Sequence, residues 1–157
     1  MPEPRARLQA AQLGVTLGLV AALIVNIDVD DLDKATTFYT RALALRVGRR
    51  FGATGVELLG AESPIFLLVA PKGSVPFRGG STTRVYRRHW TPVHLDFAVQ
   101  DIEAEVERAL AAGATLEVPV ERHGFGKMAV LADPFGHGFC LLQFEDGGYD
   151  AIATSRG

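Results

Sequence analysis

The residues with the clearest chemical potential in this chain are a histidine and an aspartate in one apolar segment. His94 and Asp96 stand in the sequence PVHLDFAV, which favours a β-strand. Because residues i and i+2 of a strand lie on the same face of a sheet, both side chains are expected to point the same way. The two groups could anchor a ligand or transfer a proton as an acid–base pair. A structural polar pair is the alternative interpretation, and the sequence leaves both open.

Three other polar or soft side chains are expected to face the same space. Asn26 and Asp28 alternate with apolar residues in LIVNIDV, a predicted strand over residues 23–29, and therefore share a face. Cys140 is the chain's one cysteine, which excludes an internal disulfide framework and an all-cysteine metal site. A catalytic thiol needs an activating base, and a small buried apolar side chain is the more common role of a free cysteine. We predict that all three contribute to ligand binding.

The predicted elements repeat in the order strand, helix and three strands, with an offset of about seventy residues. The first copy comprises a strand at 23–29, an amphipathic helix at 32–45 after the capping Asp31, and strands at 46–51, 55–59 and 64–70. The second copy comprises a strand at 92–99, a helix at 102–112 after the capping Asp101, and strands at 115–118, 127–132 and 138–144. We predict an α+β fold in which two βαβββ modules form a curved mixed sheet around a cavity, with the helices outside.

This duplication resembles the vicinal oxygen chelate superfamily, which includes glyoxalases, bleomycin resistance proteins and extradiol dioxygenases. Two sequence motifs carry the resemblance together with the two modules: Phe38-Tyr39 in the first helix, and Asp133-Pro134-Phe135-Gly136-His137 before the last strand. The resemblance covers residues 23–146 and implies a homodimer with a cavity for a small organic molecule. It is specific for the fold and not for function, because one fold can host several chemistries.

The resemblance also implies four positions at which metal-dependent relatives place ligands. In this chain they are Ile24 and His94 in the first strands, and Phe66 or Leu67 and Cys140 in the last strands. Two positions are therefore apolar, and only His94 and Cys140 are candidate metal ligands. A catalytic ion needs about three protein ligands, so we predict no metal cofactor and treat Phe66 as a ligand-contacting side chain. A set of His94, Cys140 and Asp96 is the metal-dependent alternative.

A cationic and aromatic linker, residues 71–91, joins the two modules. It carries Arg84 and Arg88 among other cations, together with Tyr86 and Trp90. We expect Trp90 to contact the ligand, whereas a solvated crossing or an intersubunit contact is the alternative role of the segment. Two other histidines, His123 and His137, are expected to be exposed loop or turn residues.

Composition excludes some classes of function. The chain has 157 residues and a formal net charge of −2, so it lacks the basic excess typical of nucleic-acid binders. A P-loop, a Gly-x-Ser-x-Gly elbow and a His-Glu-x-x-His helix are absent from the sequence. The uncharged run from Leu8 to Ile27 is long enough to span a membrane, but glutamine, threonine, asparagine and glycine dilute its hydrophobicity.

We therefore predict a cytoplasmic protein without a membrane anchor. Its expected parts are an N-terminal appendage at 1–22, one domain at 23–146 and a C-terminal tail at 147–157, with module 1 at about 23–70 and module 2 at about 92–146. The predicted function is binding of a small organic molecule by sequestration, without metal and as a homodimer. The alternatives are a metal-dependent lyase or dioxygenase, and a metal-free enzyme that uses His94 and Asp96.

Overall fold

The computed structural model of the protein describes residues 23–155. The predicted N-terminal appendage lies outside the described residues, as do the last two residues of the tail. Among the described residues, none of the helices is both long and apolar enough to cross a bilayer.

The described chain contains two helices and eight strands, and it ends with a short 3-10 helix at Gly148–Ala151. The first module consists of β1 (Val25–Val29), α1 (Leu32–Ala42), β2 (Arg46–Phe51), β3 (Gly55–Leu59) and β4 (Ile65–Val69). The second consists of β5 (Leu95–Ala98), α2 (Ile102–Ala111), β6 (Thr115–His123), β7 (Gly126–Ala132) and β8 (Gly138–Phe144). The predicted α+β class and the two βαβββ modules are confirmed.

Each module forms its own open four-stranded mixed sheet. The strand orders are β1-β4-β3-β2 and β5-β8-β7-β6, with a parallel first pair and antiparallel pairs beyond it. The registers are equivalent, since Val25 pairs with Ile65 in one sheet and Leu95 with Phe139 in the other. Asn26 is accordingly opposite Phe66, and Asp96 is opposite Cys140.

Both helices begin at the predicted capping residue. The carboxylate of Asp31 accepts a hydrogen bond from the Lys34 amide at 2.9 Å, and that of Asp101 accepts one from Ala104 at 3.0 Å. Helix α1 ends at Ala42, earlier than predicted, because Ala44 adopts a left-handed conformation with φ of 52°. The apolar faces of both helices pack into one core that also contains the inner faces of both sheets.

A buried hydrogen-bond centre joins the two modules. The hydroxyl of Tyr39 on α1 donates to the carboxylate of Asp133 in the turn before β8, at 2.6 Å. The other oxygen of Asp133 accepts from the backbone amides of Phe135 at 2.8 Å and His137 at 2.9 Å. Burial and the neighbouring carboxylate raise the pKa of Tyr39 well above its usual value, so the phenol stays protonated and remains a donor.

The structure corrects two histidine predictions. His123 is exposed as expected, but it is the last residue of β6 rather than a loop residue, because that strand continues through two register shifts to the turn at Gly124-Phe125. His137 is half-buried rather than exposed, and its Nε2 atom lies 2.8 Å from the carbonyl oxygen of Asp28 in the other module. The turn motif indicated the local geometry of His137, but not that β1 ends beside it.

Candidate functional site

Three side chains capable of acid–base or ligand chemistry come together on the face of the second sheet that is turned away from the hydrophobic core. His94 immediately precedes β5, Asp96 lies within β5, and Cys140 is paired with Asp96 on the adjacent β8. The Nε2 atom of His94 is 3.2 Å from Oδ1 of Asp96. The possible ligand atoms of all three residues lie within 4.8 Å of one another. The structure thus juxtaposes three of the residues selected from the sequence.

The cluster is open to solvent above a buried thiol. The His94 and Asp96 side chains are 33% and 36% exposed, whereas Cys140 is buried. Leu95 and Phe97, which alternate with them, pack against the core as strand parity predicts. A ligand approaching this face therefore meets the imidazole and carboxylate first, with the sulfur beneath them.

The environment of Cys140 suppresses its ionisation. Burial, the charge of Asp96 and a hydrogen bond to Asp96 raise the pKa of the thiol to about 12. Because the thiolate is the nucleophile, a thiol with this pKa is a poor attacking group at neutral pH. A hydrogen-bond donor to Asp96 is the role that this geometry supports.

We predict that Cys140 in the folded protein reacts slowly with iodoacetamide at pH 8, and rapidly once denaturant unfolds the chain. Mass spectrometry of timed samples would measure the modified fraction, and free cysteine serves as the rate reference. Labelling of the folded protein as fast as free cysteine would show that the thiol is accessible and ionised, contrary to this structure.

The end of the linker forms an aromatic wall beside the cluster. The Trp90 ring lies 4.7 Å from the His94 ring between centroids, and the Arg88 guanidinium lies 5.4 Å from the Trp90 ring. Arg88 also forms a paired ion contact with Glu117 of β6, including a 2.7 Å hydrogen bond. Trp90 remains 50% exposed, so the predicted ligand-contacting tryptophan is beside the site and available.

A glycine in β8 allows Arg88 to lie this close to the sheet. A Cβ atom at Gly138 would be 2.7 Å from Nη2 of Arg88, which is too close for a real contact. The sequence groups Arg88 with the other cations of the linker, and no pattern in it links Arg88 to Glu117 or Gly138. Gly138 and Cys140 lie two residues apart in β8 and therefore share a face of the sheet. This spacing is the signal in the sequence that points to Gly138.

The first-module candidates lie on the equivalent face of the first sheet, with partners of their own. Phe66 packs against Phe51 with ring centroids 5.9 Å apart, and exposed Asn26 is opposite Phe66 in the register. Asp28 forms a 2.6 Å ion pair with Arg84 of the linker. The predicted role of these three residues in ligand binding stays a prediction.

Tyr86 is a structural residue of the linker. Its hydroxyl donates to the carbonyl of Ala70 at 2.7 Å, and its ring packs against the core and lies near His137. Together with the Arg84–Asp28 pair, this contact holds the linker against the end of the first sheet. Of the two aromatic linker residues named from the sequence, Trp90 is therefore the one placed at the cluster.

The donor set is compatible with one metal ion only if Cys140 ionises. An imidazole, a carboxylate and a thiol within 4.8 Å are sufficient in number for an open three-ligand site. The equivalent positions of the first module hold Ile24, Asn26 and Phe66, none of which is a good transition-metal ligand. If an ion were present, His94, Asp96 and Cys140 would hold it, and it would supply Lewis-acid chemistry.

Two βαβββ modules, each with an open four-stranded mixed sheet, form the fold of the vicinal oxygen chelate class. The sequence pattern of the glyoxalase-like domain family matches residues 24–142, and the chain belongs to that family.

Similar proteins include curated sequences and solved structures. An uncharacterized protein of Mycobacterium tuberculosis strain H37Rv is 34% identical over 145 residues, which cover 89% of this chain and 85% of that protein. The anthracycline biosynthesis protein DnrV of Streptomyces peucetius is 30% identical over 132 residues, which cover 82% of this chain but 43% of DnrV. A glyoxalase/bleomycin resistance/dioxygenase family enzyme from Burkholderia phytofirmans has the same fold, with a TM-score of 0.63, 22% identity and coverage of 80% of this chain and all of that chain (100%).

Proposed function

We propose that this protein binds a small organic molecule at the cluster of His94, Asp96 and Cys140, without a catalytic metal, and acts by sequestering it. The observation that carries the proposal is the His94–Asp96 pair at 3.2 Å beside the half-exposed indole of Trp90. Small-molecule sites combine apolar and aromatic walls with a few oriented polar groups. The ligand class that fits is an aromatic molecule with a polar substituent.

The chemistry of each side chain supports a binding role. Asp96 accepts a hydrogen bond from the Cys140 thiol and lies against His94, so these partners fix the carboxylate between them. Trp90 offers a π surface, and stacked or edge contacts between aromatic groups add about 0.5–1.5 kcal/mol to burial alone. The name of the relative DnrV places it in anthracycline biosynthesis, and anthracyclines are therefore the first ligands to test on this chain.

A homodimer in the cytoplasm is part of the same proposal. Large apolar side chains are exposed in the single chain: Phe51 at the end of β2 at 43%, and Trp90 and Val93 in the chain before β5 at 50% and 82%. A second copy of the chain against these side chains would bury them and enclose the ligand. Sedimentation velocity of the purified protein tests this part of the proposal independently.

A metal-dependent lyase or dioxygenase is the second candidate, favoured by the three possible donors within 4.8 Å. A metal-free enzyme is the third, because the 3.2 Å separation of His94 and Asp96 suits an acid–base pair. In the third case Asp96 would orient the imidazole, and His94 would accept a proton from the bound molecule. Both alternatives predict turnover of the ligand, whereas sequestration predicts that it is recovered unchanged.

We predict that the purified protein holds far less than one equivalent of divalent metal and that a chelator leaves its Tm unchanged. The apolar residues at two family ligand positions and the protonated Cys140 thiol are the reasons. Elemental analysis beside thermal melts, with and without chelator, would measure both. One equivalent of zinc, nickel, iron or manganese that is lost in the His94→Ala variant would favour the metal-dependent candidate instead.

We predict that His94→Ala weakens binding of an aromatic ligand by about 1–3 kcal/mol, the cost of leaving a polar partner unpaired. The neighbouring Leu95→Ala change is the matched control. It opens space in the core and lowers stability by about 2 kcal/mol, with little effect on affinity. Quenching of Trp90, the single tryptophan of the chain, would report titrations with a panel that includes an anthracycline.

The same titrations can contradict the site assignment. If His94→Ala lowers stability as much as Leu95→Ala and binds each active panel member normally, His94 is structural. If no aromatic compound quenches Trp90 in the wild-type protein, the proposed ligand class is wrong.

A further inference from the structure

A cavity of about 720 Å³ runs along β5. It separates the second module from the start of β1, the α1–β2 turn and the β3–β4 loop. Much of its wall is apolar and includes Val25, Leu45, Ile65, Leu95, Phe97 and Val99. Of the proposed ligand-binding cluster, Asp96 lines this space, whereas His94 and Cys140 do not.

The cavity exists because the two modules carry side chains of different shape at equivalent positions of their interface. Where α1 crosses to the second module, Phe38 contacts Phe139 with ring centroids 6.4 Å apart. Arg108 occupies the same place relative to the cap of α2 that Phe38 occupies relative to the cap of α1. Ile65 of β4 corresponds in strand register to Phe139 of β8. Both Arg108 and Ile65 line the cavity. Two aromatic rings thus fill one end of the interface between the modules, whereas the equivalent positions at the other end border the cavity.

The free edge of a β-strand borders this space. Within the described residues, β5 pairs with β8 alone, so its other edge has no partner strand. All residues from Leu95 to Asp101 line the cavity, irrespective of the sheet face to which their side chains belong. An unpaired strand edge beside an apolar wall is suited to a polypeptide segment, which supplies backbone hydrogen bonds and apolar side chains together.

At the opposite end of the interface between the modules, the linker that leads into β5 covers the end of β1. There the linker places Tyr86 against Ala70 and pairs Arg84 with Asp28 at the end of β1. The corresponding stretch of the first module is the chain that leads into β1. The first described residue of that stretch, Leu23, lines the cavity and is itself 68% exposed.

We propose that this cavity is the docking site of the chain's own N-terminal segment, residues 8–22. That segment carries no charged residue, which matches the apolar wall, and Arg5 and Arg7 precede it. The cavity lining carries four carboxylates and one cation, Arg108, which is paired with Glu105. The remaining carboxylates, Glu62, Asp96 and Asp101, complement the charges of Arg5 and Arg7. Residues 8–22 directly precede Leu23, which lines the cavity, and the effective concentration of a covalently attached segment favours it over other occupants.

Cross-linking in the full-length protein tests the proposal. Leu13→Cys, ten residues before Leu23, is combined with Ala61→Cys, which lies in the cavity wall, and the chain is treated with a short bis-maleimide. Leu13→Cys combined with Ala53→Cys, at the exposed β2–β3 turn, is the matched control. We expect the cavity pair to give an intrachain cross-link in about tenfold higher yield than the control, because docking raises the effective concentration of the two thiols.

Two results would overturn the proposal. Equal yields from the two pairs would show that the segment does not dock in the cavity. A link between two chains, seen as a dimer on a denaturing gel, would assign the cavity to a second copy.

Hydrogen exchange gives a second measurement in the uncross-linked chain. Replacing Leu17 and Leu19 with aspartate should accelerate exchange of the amides at 95–100 about tenfold, because the docked segment no longer covers them. Replacing Gln9 and Gln12 with aspartate controls for the added charge. Unchanged exchange in the leucine variant would contradict docking, irrespective of the cross-linking result.

Discussion

Replacing Asp133 with alanine is expected to lower the free energy of unfolding by about 4 kcal/mol, because several buried donors lose the acceptor that they share. Asp133 is 5% exposed, and its carboxylate accepts hydrogen bonds from the Tyr39 hydroxyl and two backbone amides. Its removal leaves three donors without their partner in the core. Urea denaturation followed by circular dichroism would measure the change.

The Tyr39→Phe variant separates the contact between the modules from the turn itself. It removes a single donor and keeps the ring packing, so we expect a loss of about 1–2 kcal/mol. If the two variants were equally stable, the amides of Phe135 and His137 would not depend on Asp133, and the turn would owe its geometry to other residues.

Truncation of Phe38 to alanine is expected to cost about 3–5 kcal/mol, as for other buried aromatic residues. The ring is 2% exposed and meets Tyr39 at 5.0 Å and Phe139 at 6.4 Å between centroids. The loss combines apolar burial with a cavity at the junction of the two modules. Thermal and chemical denaturation should agree on the size of the change.

Arg108→Ala is the matched control, because Arg108 occupies the equivalent position in α2. Its guanidinium is partly exposed and paired with Glu105 on the same helix, so we expect a change of about 0.5 kcal/mol or less. Similar losses in the two variants would mean that both ends of the module interface are equally packed, contrary to the structure.

The duplicated architecture could be predicted from the sequence because it depends on local patterns. Capping aspartates before amphipathic segments define both helices, and period-2 alternation defines the strands and the faces that carry His94 and Asp96. Equivalent spacing in the two halves then makes two βαβββ modules the consistent interpretation. The proximity of Cys140 to Asp96 could also be anticipated, since the family resemblance implies that the first and last strands of a module meet.

Only the tertiary structure decided which polar residues are partners across long separations in the chain. Arg84 with Asp28, Arg88 with Glu117, and Tyr39 with Asp133 are pairs that no local pattern specifies. The sequence placed His137 in an exposed turn, whereas the approach of β1 half-buries it.

The sequence by itself determined the helices, the strand faces, the duplication and the residue types available for chemistry. These follow from interactions between residues close in the chain, or from patterns repeated along it. The tertiary structure decided the thiol pKa of Cys140, the position of Trp90 beside His94 and the cavity bordered by Leu23. Each depends on how the two modules and the linker pack, and packing selects among arrangements that share the same local pattern.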